Sequence, residues 1–470
     1  MKRLLTGVLV LVVSAGCSEA PPPSDPSAGR PFDTDVPGIR AEHLSADFWL
    51  AQTREPDAVL MSAEEVRAFN NRAFDVDPTL VRIESLPPAL DREALLSKVR
   101  AISSPSSYDR WTADGRQVTA DDWAGFDALL DLDAVADDNP LRYGMVVRRA
   151  SMRTYPTNLS LYNTPEPSDI DRFQENGLFP GDAVAIYHTS RDGDWLLVQT
   201  YNYLAWAPAD AIAIGERDEI LGFGSRSPRL VVTGDKVFTN FNPSLPATSE
   251  VQLDMGVSLP LLGRDDVGDS LRGQNPYTSH IVSMPVRSDH GTLAFEAALI
   301  ARSEDVSLGP LPFTRGHVIK QSFKFLGERY GWGHDYNARD CTGFVSEVYR
   351  TFGFTLPRNS GDQRDSAIGI NLRFDETAGR ESRMEALRSM DTGDLVYIPG
   401  HVMLSLGNAD GQPYVIHDVN GLQFTKADGS FYQGTLNTVA VTPIEPLQSD
   451  AGDDYVDRML NIKSIRHVSK

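Results

Sequence analysis

Only two of the 470 residues are cysteines, Cys17 and Cys341, and nine are histidines, so thiol chemistry in this chain is confined to two places. Cys341 lies in the run YGWGHDYNARDCTGFVSEVYRTF, Tyr330 to Phe352. A cysteine can serve as a nucleophile if a base lies within hydrogen-bond reach and a further polar group orients that base. His401 and His417 are the histidines whose spacing could supply both roles. Asp418 and Asn420 are also candidates for the orienting one.

The elements around these residues can be read from periodicity. Cys341, Phe344, Val345, Val348, Tyr349 and Phe352 recur at the spacing of a helix buried along one face. Asp340 is a favoured cap before it, and Gly353 and Pro357 supply stop signals, so Cys341 is expected in the first turn. Free N–H groups and the positive end of the helix dipole favour a thiolate there, which predicts a fall of about two pH units from the usual cysteine value near 8.5. Residues 394–398, 401–406 and 414–419 read as three strands of an antiparallel meander. With a turn centred on Ala409, His401 and His417 would be direct cross-strand neighbours on one face. His401, His417 and Asp418 lack the tight spacing of a metal site, so neither a metal nor another cofactor is expected.

Cys17 has a different context. Lys2 and Arg3 precede an apolar run, Leu4 to Val13, too short for a permanent span, and small residues lead into the cysteine. Residues 1–17 are therefore expected to be a signal peptide ending in Val13-Ser14-Ala15-Gly16-Cys17, which resembles a bacterial lipobox. Acylation of Cys17 would anchor the chain to a membrane. Ser18 in the next position, by resemblance to such lipoproteins, implies the periplasmic face of the outer membrane of a Gram-negative cell. Lipidation of Cys17 leaves Cys341 as a lone thiol in an oxidising compartment, where an unused thiol is a liability.

Residues 18–38, rich in Pro, Ser, Asp and Gly, read as a tether extending about 3 Å per residue. Residues 39–140 read as helices and loops, with a capping box at Ser62 and Glu65, and show no chemistry. Two sets of short strands follow, read as small barrels over 141–222 and 223–305, and a final domain spans 306–470. The net charge of −21 argues against nucleic acid or anionic membrane surfaces as partners.

Three motifs in order, RDCTGF, GDLVYIPGHVMLSLG and YVIHD, resemble the NlpC/P60 family of papain-like cysteine peptidases that cut bacterial cell-wall peptides. Asp171-Arg172-Phe173-Gln174, FPGDAVAIYHTSRDGDWLLVQT and the following tryptophan strand resemble the SH3-like domain of multidomain members. The second strand set resembles a second such domain, and Phe48 to Asn71 the family's amino-terminal clip. The resemblance implies a multidomain α+β fold: a papain-like catalytic domain, helices on an antiparallel sheet, behind two SH3-like barrels and a helical amino-terminal segment. It implies Cys341 as nucleophile, His401 as base and His417 as the third residue, with Tyr330 near the oxyanion. Asp340 and Thr342 would bind the free amine of a terminal L-alanine; Thr342 stands where the family usually has Ser. The implied activity is hydrolysis of γ-D-glutamyl–meso-diaminopimelate bonds in peptidoglycan stem peptides by a monomer. A silent cell-wall-binding lipoprotein and a thiol amidase or acyltransferase of the same geometry are the alternatives.

Overall fold

The computed structural model describes residues 32–466. The signal peptide, the lipobox at Cys17 and most of the expected tether lie outside the described residues.

The helix that begins with Cys341 runs Cys341–Arg350, and Asp340 caps it by accepting the Gly343 N–H at 2.8 Å. Phe344, Val345, Val348 and Tyr349 are fully buried, as the period required, and Gly353 (φ +87°) takes the left-handed conformation that ends the segment. The helix packs on a six-stranded sheet ordered Ile370–Arg373, Asn461–Ser464, Leu395–Ile398, His401–Ala409, Gln412–Thr425 and Phe431–Pro443. The expected meander forms its centre, and three further strands widen it. Phe431–Pro443 gives little periodic signal because its first half alternates between exposed and half-buried polar positions.

The helical segment over 39–140 divides between two cores. Trp49, Met61, Val66 and Phe69 pack with Phe344, Tyr349 and Leu404 of the catalytic domain. Leu95, Val99, Phe126 and Leu130 pack instead with Phe173, Trp195 and Trp206 of the first barrel. Burying a phenylalanine such as Phe69 stabilises by about 2 kcal/mol, so each half is held to its own partner.

Between Arg142 and Gly215 seven strands form one antiparallel sheet. Beyond it the chain makes three small sheets: Arg229–Val232 with Ser258–Pro260 and Val306–Leu308, Lys236–Phe238 with Gln252–Asp254, and Ser279–Arg287 with Leu293–Ala301. Their core includes Leu230, Val282 and Ile300 together with Tyr143, Met145 and Phe179 from the preceding sheet. The two strand regions therefore share apolar packing across residues 222 and 223.

Candidate active site

His401 opens its strand, and its Nε2 lies 2.8 Å from Nδ1 of His417 on the neighbouring strand. The contact is real, but the register that makes it differs from the one expected. The turn is the two-residue Asp410-Gly411, both at positive φ, so Ala409 pairs with Gln412. A turn at that place, left uncorrected, would put the two histidines on opposite faces. A bulge at Leu406 adds one residue to the His401 strand, so that Ser405 pairs with Val415 and Leu404 with Ile416. Continuing that register, the histidines share a face as diagonal neighbours, not direct ones, and the imidazoles close the difference.

His417 is buried and its Nε2 lies 2.9 Å from Oγ1 of Thr442. A base on His401 needs a lone pair on Nδ1, which requires the hydrogen on Nε2. In that tautomer His401 donates to His417, and His417 donates to Thr442. Thr442 thus completes a relay of three residues on three adjacent strands. Asp418 is also buried but both its oxygens are unpartnered, and Asn420 donates to Asn437, so neither orients His401.

Cys341 is 8% exposed and packs in one apolar core with Val402, one residue beyond His401. The expected fall in thiol pKa does not occur. Burial, with the adjacent Asp340 carboxylate adding to it, pushes the thiol up to about 12, and the Val402 N–H opposes this only in part. Burial also lowers His401 to about 4 and His417 well below the ordinary histidine value. At neutral pH the resting site is a neutral thiol and two neutral imidazoles: burial disfavours the thiolate more than the helix start favours it, and disfavours both imidazolium forms. Iodoacetamide labelling of Cys341 should therefore be slow at pH 6 and should accelerate as pH rises toward the thiol value. Because His401 stays unprotonated until pH falls near 4, turnover should persist at mildly acidic pH. Fast labelling at pH 6 would contradict this electrostatic balance.

The structure brings Asp340, Thr342 and Tyr330 to the same corner. Tyr330 is 7% exposed; burial, then Cys341 and Asp340, raise its hydroxyl well above the usual range. Asp340 and Thr342, for which the resemblance implies amine binding, both contact a cation of the chain itself. Arg358 donates to Asp340 Oδ2 at 2.7 Å and to Thr342 Oγ1 at 2.5 Å, and Thr342 in turn donates to Asp340 Oδ1 at 2.9 Å. Burial opposes ionisation of Asp340, but Arg358 and the Gly343 N–H hold it well below the usual carboxylate range. No sequence signal marks Arg358: Asp340 and Thr342 lie fewer than twenty residues before it but across an irregular loop, and its other partners, Asn176 and the Glu175 carbonyl, come from the first barrel.

Arg339 was equally hidden. It is fully buried and donates to Glu347 at 2.6 Å, to Glu328 at 2.7 and 2.8 Å and to the Asp235 carbonyl at 2.9 Å. Arg339 precedes the helix cap, so no helical spacing links it to Glu347; the loop alone brings the two together.

A thiol at the start of a helix packed on an antiparallel sheet that carries two hydrogen-bonded histidines fits a cysteine peptidase domain. Residues 327–441 match the NlpC/P60 family, and residues 161–208 match an SH3 domain of the SH3b1 type. The chain is 34% identical over 119 residues to a probable endopeptidase p60 of Listeria seeligeri, covering 24% of this chain and 19% of that one. It is 22% identical over 228 residues to a gamma-D-glutamyl-L-lysine dipeptidyl-peptidase of Bacillus cereus, covering 44% of this chain and 63% of that one. The chain thus spans less than two thirds of either relative. A solved NlpC/P60 endopeptidase from Photobacterium damselae subsp. piscicida shares the fold, with a TM-score of 0.70 at 17% identity over 89% of this chain and 96% of that one.

Proposed function

We propose that this protein is a peptidoglycan stem-peptide hydrolase that cuts the γ-D-glutamyl–meso-diaminopimelate bond, with Cys341 as nucleophile, His401 as base and His417 as its orienting partner. The observation that carries the reading is the His401–His417 contact of 2.8 Å at the start of the strand whose next residue, Val402, packs with Cys341 in one core. His401 takes the thiol proton as sulfur attacks the carbonyl, and backbone N–H groups at the helix start stabilise the oxyanion. Collapse expels the diaminopimelate amine, which takes the proton from His401, and water then releases the γ-glutamyl acid from the thioester. The γ-glutamyl bond in the Bacillus relative's name supports this substrate class. The lipobox reading of Cys17 favours a Gram-negative envelope, hence diaminopimelate, with the enzyme anchored at the periplasmic face of the outer membrane.

A preference for a free amino-terminal L-alanine belongs to the same proposal, on amended grounds. Arg358 holds Asp340 and Thr342, but Glu175 adds a second carboxylate, accepting from Thr154 and from Tyr203, whose hydroxyl senses Glu175, Arg358 and Asp340 together. Two carboxylates against one guanidinium leave an excess negative charge that attracts an ammonium.

The test is mass spectrometry of digests of L-Ala-γ-D-Glu-meso-diaminopimelyl-D-Ala, its N-acetyl form and intact sacculi. Release of L-Ala-γ-D-Glu, fastest from the free peptide, is expected. Equal rates on all three would remove the amine preference, and no product from any would favour a binding lipoprotein.

A further inference from the structure

Arg358 follows the nucleophile helix on the loop beyond Pro357, and its side chain is 7% exposed. Its guanidinium has five N–H groups, and every one has a partner. Nε donates to Asn176 Oδ1 at 2.6 Å; Nη1 donates to Thr342 Oγ1 at 2.5 Å and Asp340 Oδ1 at 3.3 Å; Nη2 donates to Asp340 Oδ2 at 2.7 Å and the Glu175 carbonyl at 3.2 Å. Asn176 and Glu175 belong to the barrel strand Gln174–Leu178, whereas Asp340 and Thr342 flank the nucleophile.

The titratable groups whose charge acts on the sulfur are Asp340, Arg358, Asp418, Tyr330, Tyr397 and Tyr455, and His401 stands one residue before Val402. Burial disfavours the charged forms of the tyrosines, Asp418 and His401. Asp340 and Arg358 are the charges left, opposite in sign, and in a dry corner neither is screened. An unopposed Asp340 would resist every step that places negative charge on sulfur.

We infer that Arg358 is a positioning residue for the reaction: it cancels the charge of Asp340 beside the sulfur and ties the first barrel to the start of the nucleophile helix. The inference rests on the reading of Cys341 as nucleophile, but its test needs no substrate. Without the guanidinium, the sulfur faces a lone carboxylate and ionises at higher pH. Without either charge, it returns close to its original balance. A merely structural arginine would not behave this way, since removing its partner as well could not restore reactivity.

The experiment is the pH profile of Cys341 alkylation by iodoacetamide in the full chain, with near-ultraviolet circular dichroism to check folding. Arg358→Met should slow labelling at pH 8 by about tenfold, equivalent to a displacement of one pH unit. The double variant Asp340→Asn/Arg358→Met should return to within about threefold of wild type. Asp340→Asn alone, which leaves the cation and keeps a good cap residue, should speed labelling by about tenfold. That variant also decides the matter if Arg358→Met does not fold. Coincident profiles for wild type and Arg358→Met, a double variant as slow as the single one, or unchanged labelling of Asp340→Asn would overturn the inference. Normal labelling shifts without hydrolysis of any stem peptide would sink the hydrolase proposal and leave the role of Arg358 standing.

Discussion

Cys341→Ala will lower release of L-Ala-γ-D-Glu from a defined stem peptide by about 10⁴-fold or more, while leaving the fold intact. The expected size follows from the covalent route: without sulfur no acyl-enzyme forms, and only binding and oxyanion contacts remain. The fold survives because Cys341 occupies the edge of a core built mainly from Phe344, Val345, Val402 and Leu404. His401→Ala should cost nearly as much, because the thiol rests in its protonated form, raised to about 12, and cannot attack without a proton acceptor. The double variant should be hardly worse than either single one, as expected for residues acting as a unit. His417→Ala should cost less, about 10²-fold, since it orients the imidazole without exchanging protons with substrate. Turnover by Cys341→Ala above about a tenth of wild type would exclude the thiol mechanism.

Arg339→Met is expected to lower stability by about 3–5 kcal/mol, read as the midpoint of guanidinium unfolding. Arg339 has no exposed side-chain surface and stands among the carboxylates of Glu347, Glu328 and Asp254, with the Phe325 ring 4.4 Å from its guanidinium carbon. Glu347 remains ionised despite burial, at about 2, because Arg339 and His334 sit against it. Methionine fills the volume but strands those charges in a low-dielectric interior. Glu347→Gln added to Arg339→Met should recover part of the loss, since one stranded charge is gone. A single variant as stable as wild type would mean that water reaches this network. Asp254 and Asp235 come from the second strand region and Arg149 of the first barrel also pairs with Asp254 at 2.9 Å, so the same network fastens both to the nucleophile loop.

The candidate site was legible where local rules suffice. A cap residue, an apolar period and two stop signals locate the nucleophile helix, because a helix end is decided within a few residues. Alternation located the histidine strands for the same reason. The pairing between them was less legible: the Asp410-Gly411 turn displaces the expected register by an odd number of residues, the Leu406 bulge takes one residue back, and only their combination sets which face His401 presents. Phe431–Pro443, polar over its outer half, escaped notice because its burial comes from neighbours and not from its own pattern.

Residue types and spacing by themselves determined which atoms are available for chemistry: one thiol in the described chain, two imidazoles on alternating strands, and a carboxylate capping the helix. Tertiary structure alone decided their charge states. Burial depth and the placing of Arg358 depend on contacts across more than one hundred residues, and it is burial that holds Cys341 as a neutral thiol awaiting a proton acceptor, with Arg358 pulling the other way. Desolvation is a property of everything packed around a group, so a short stretch of sequence carries the capacity to react but not the energy of reacting.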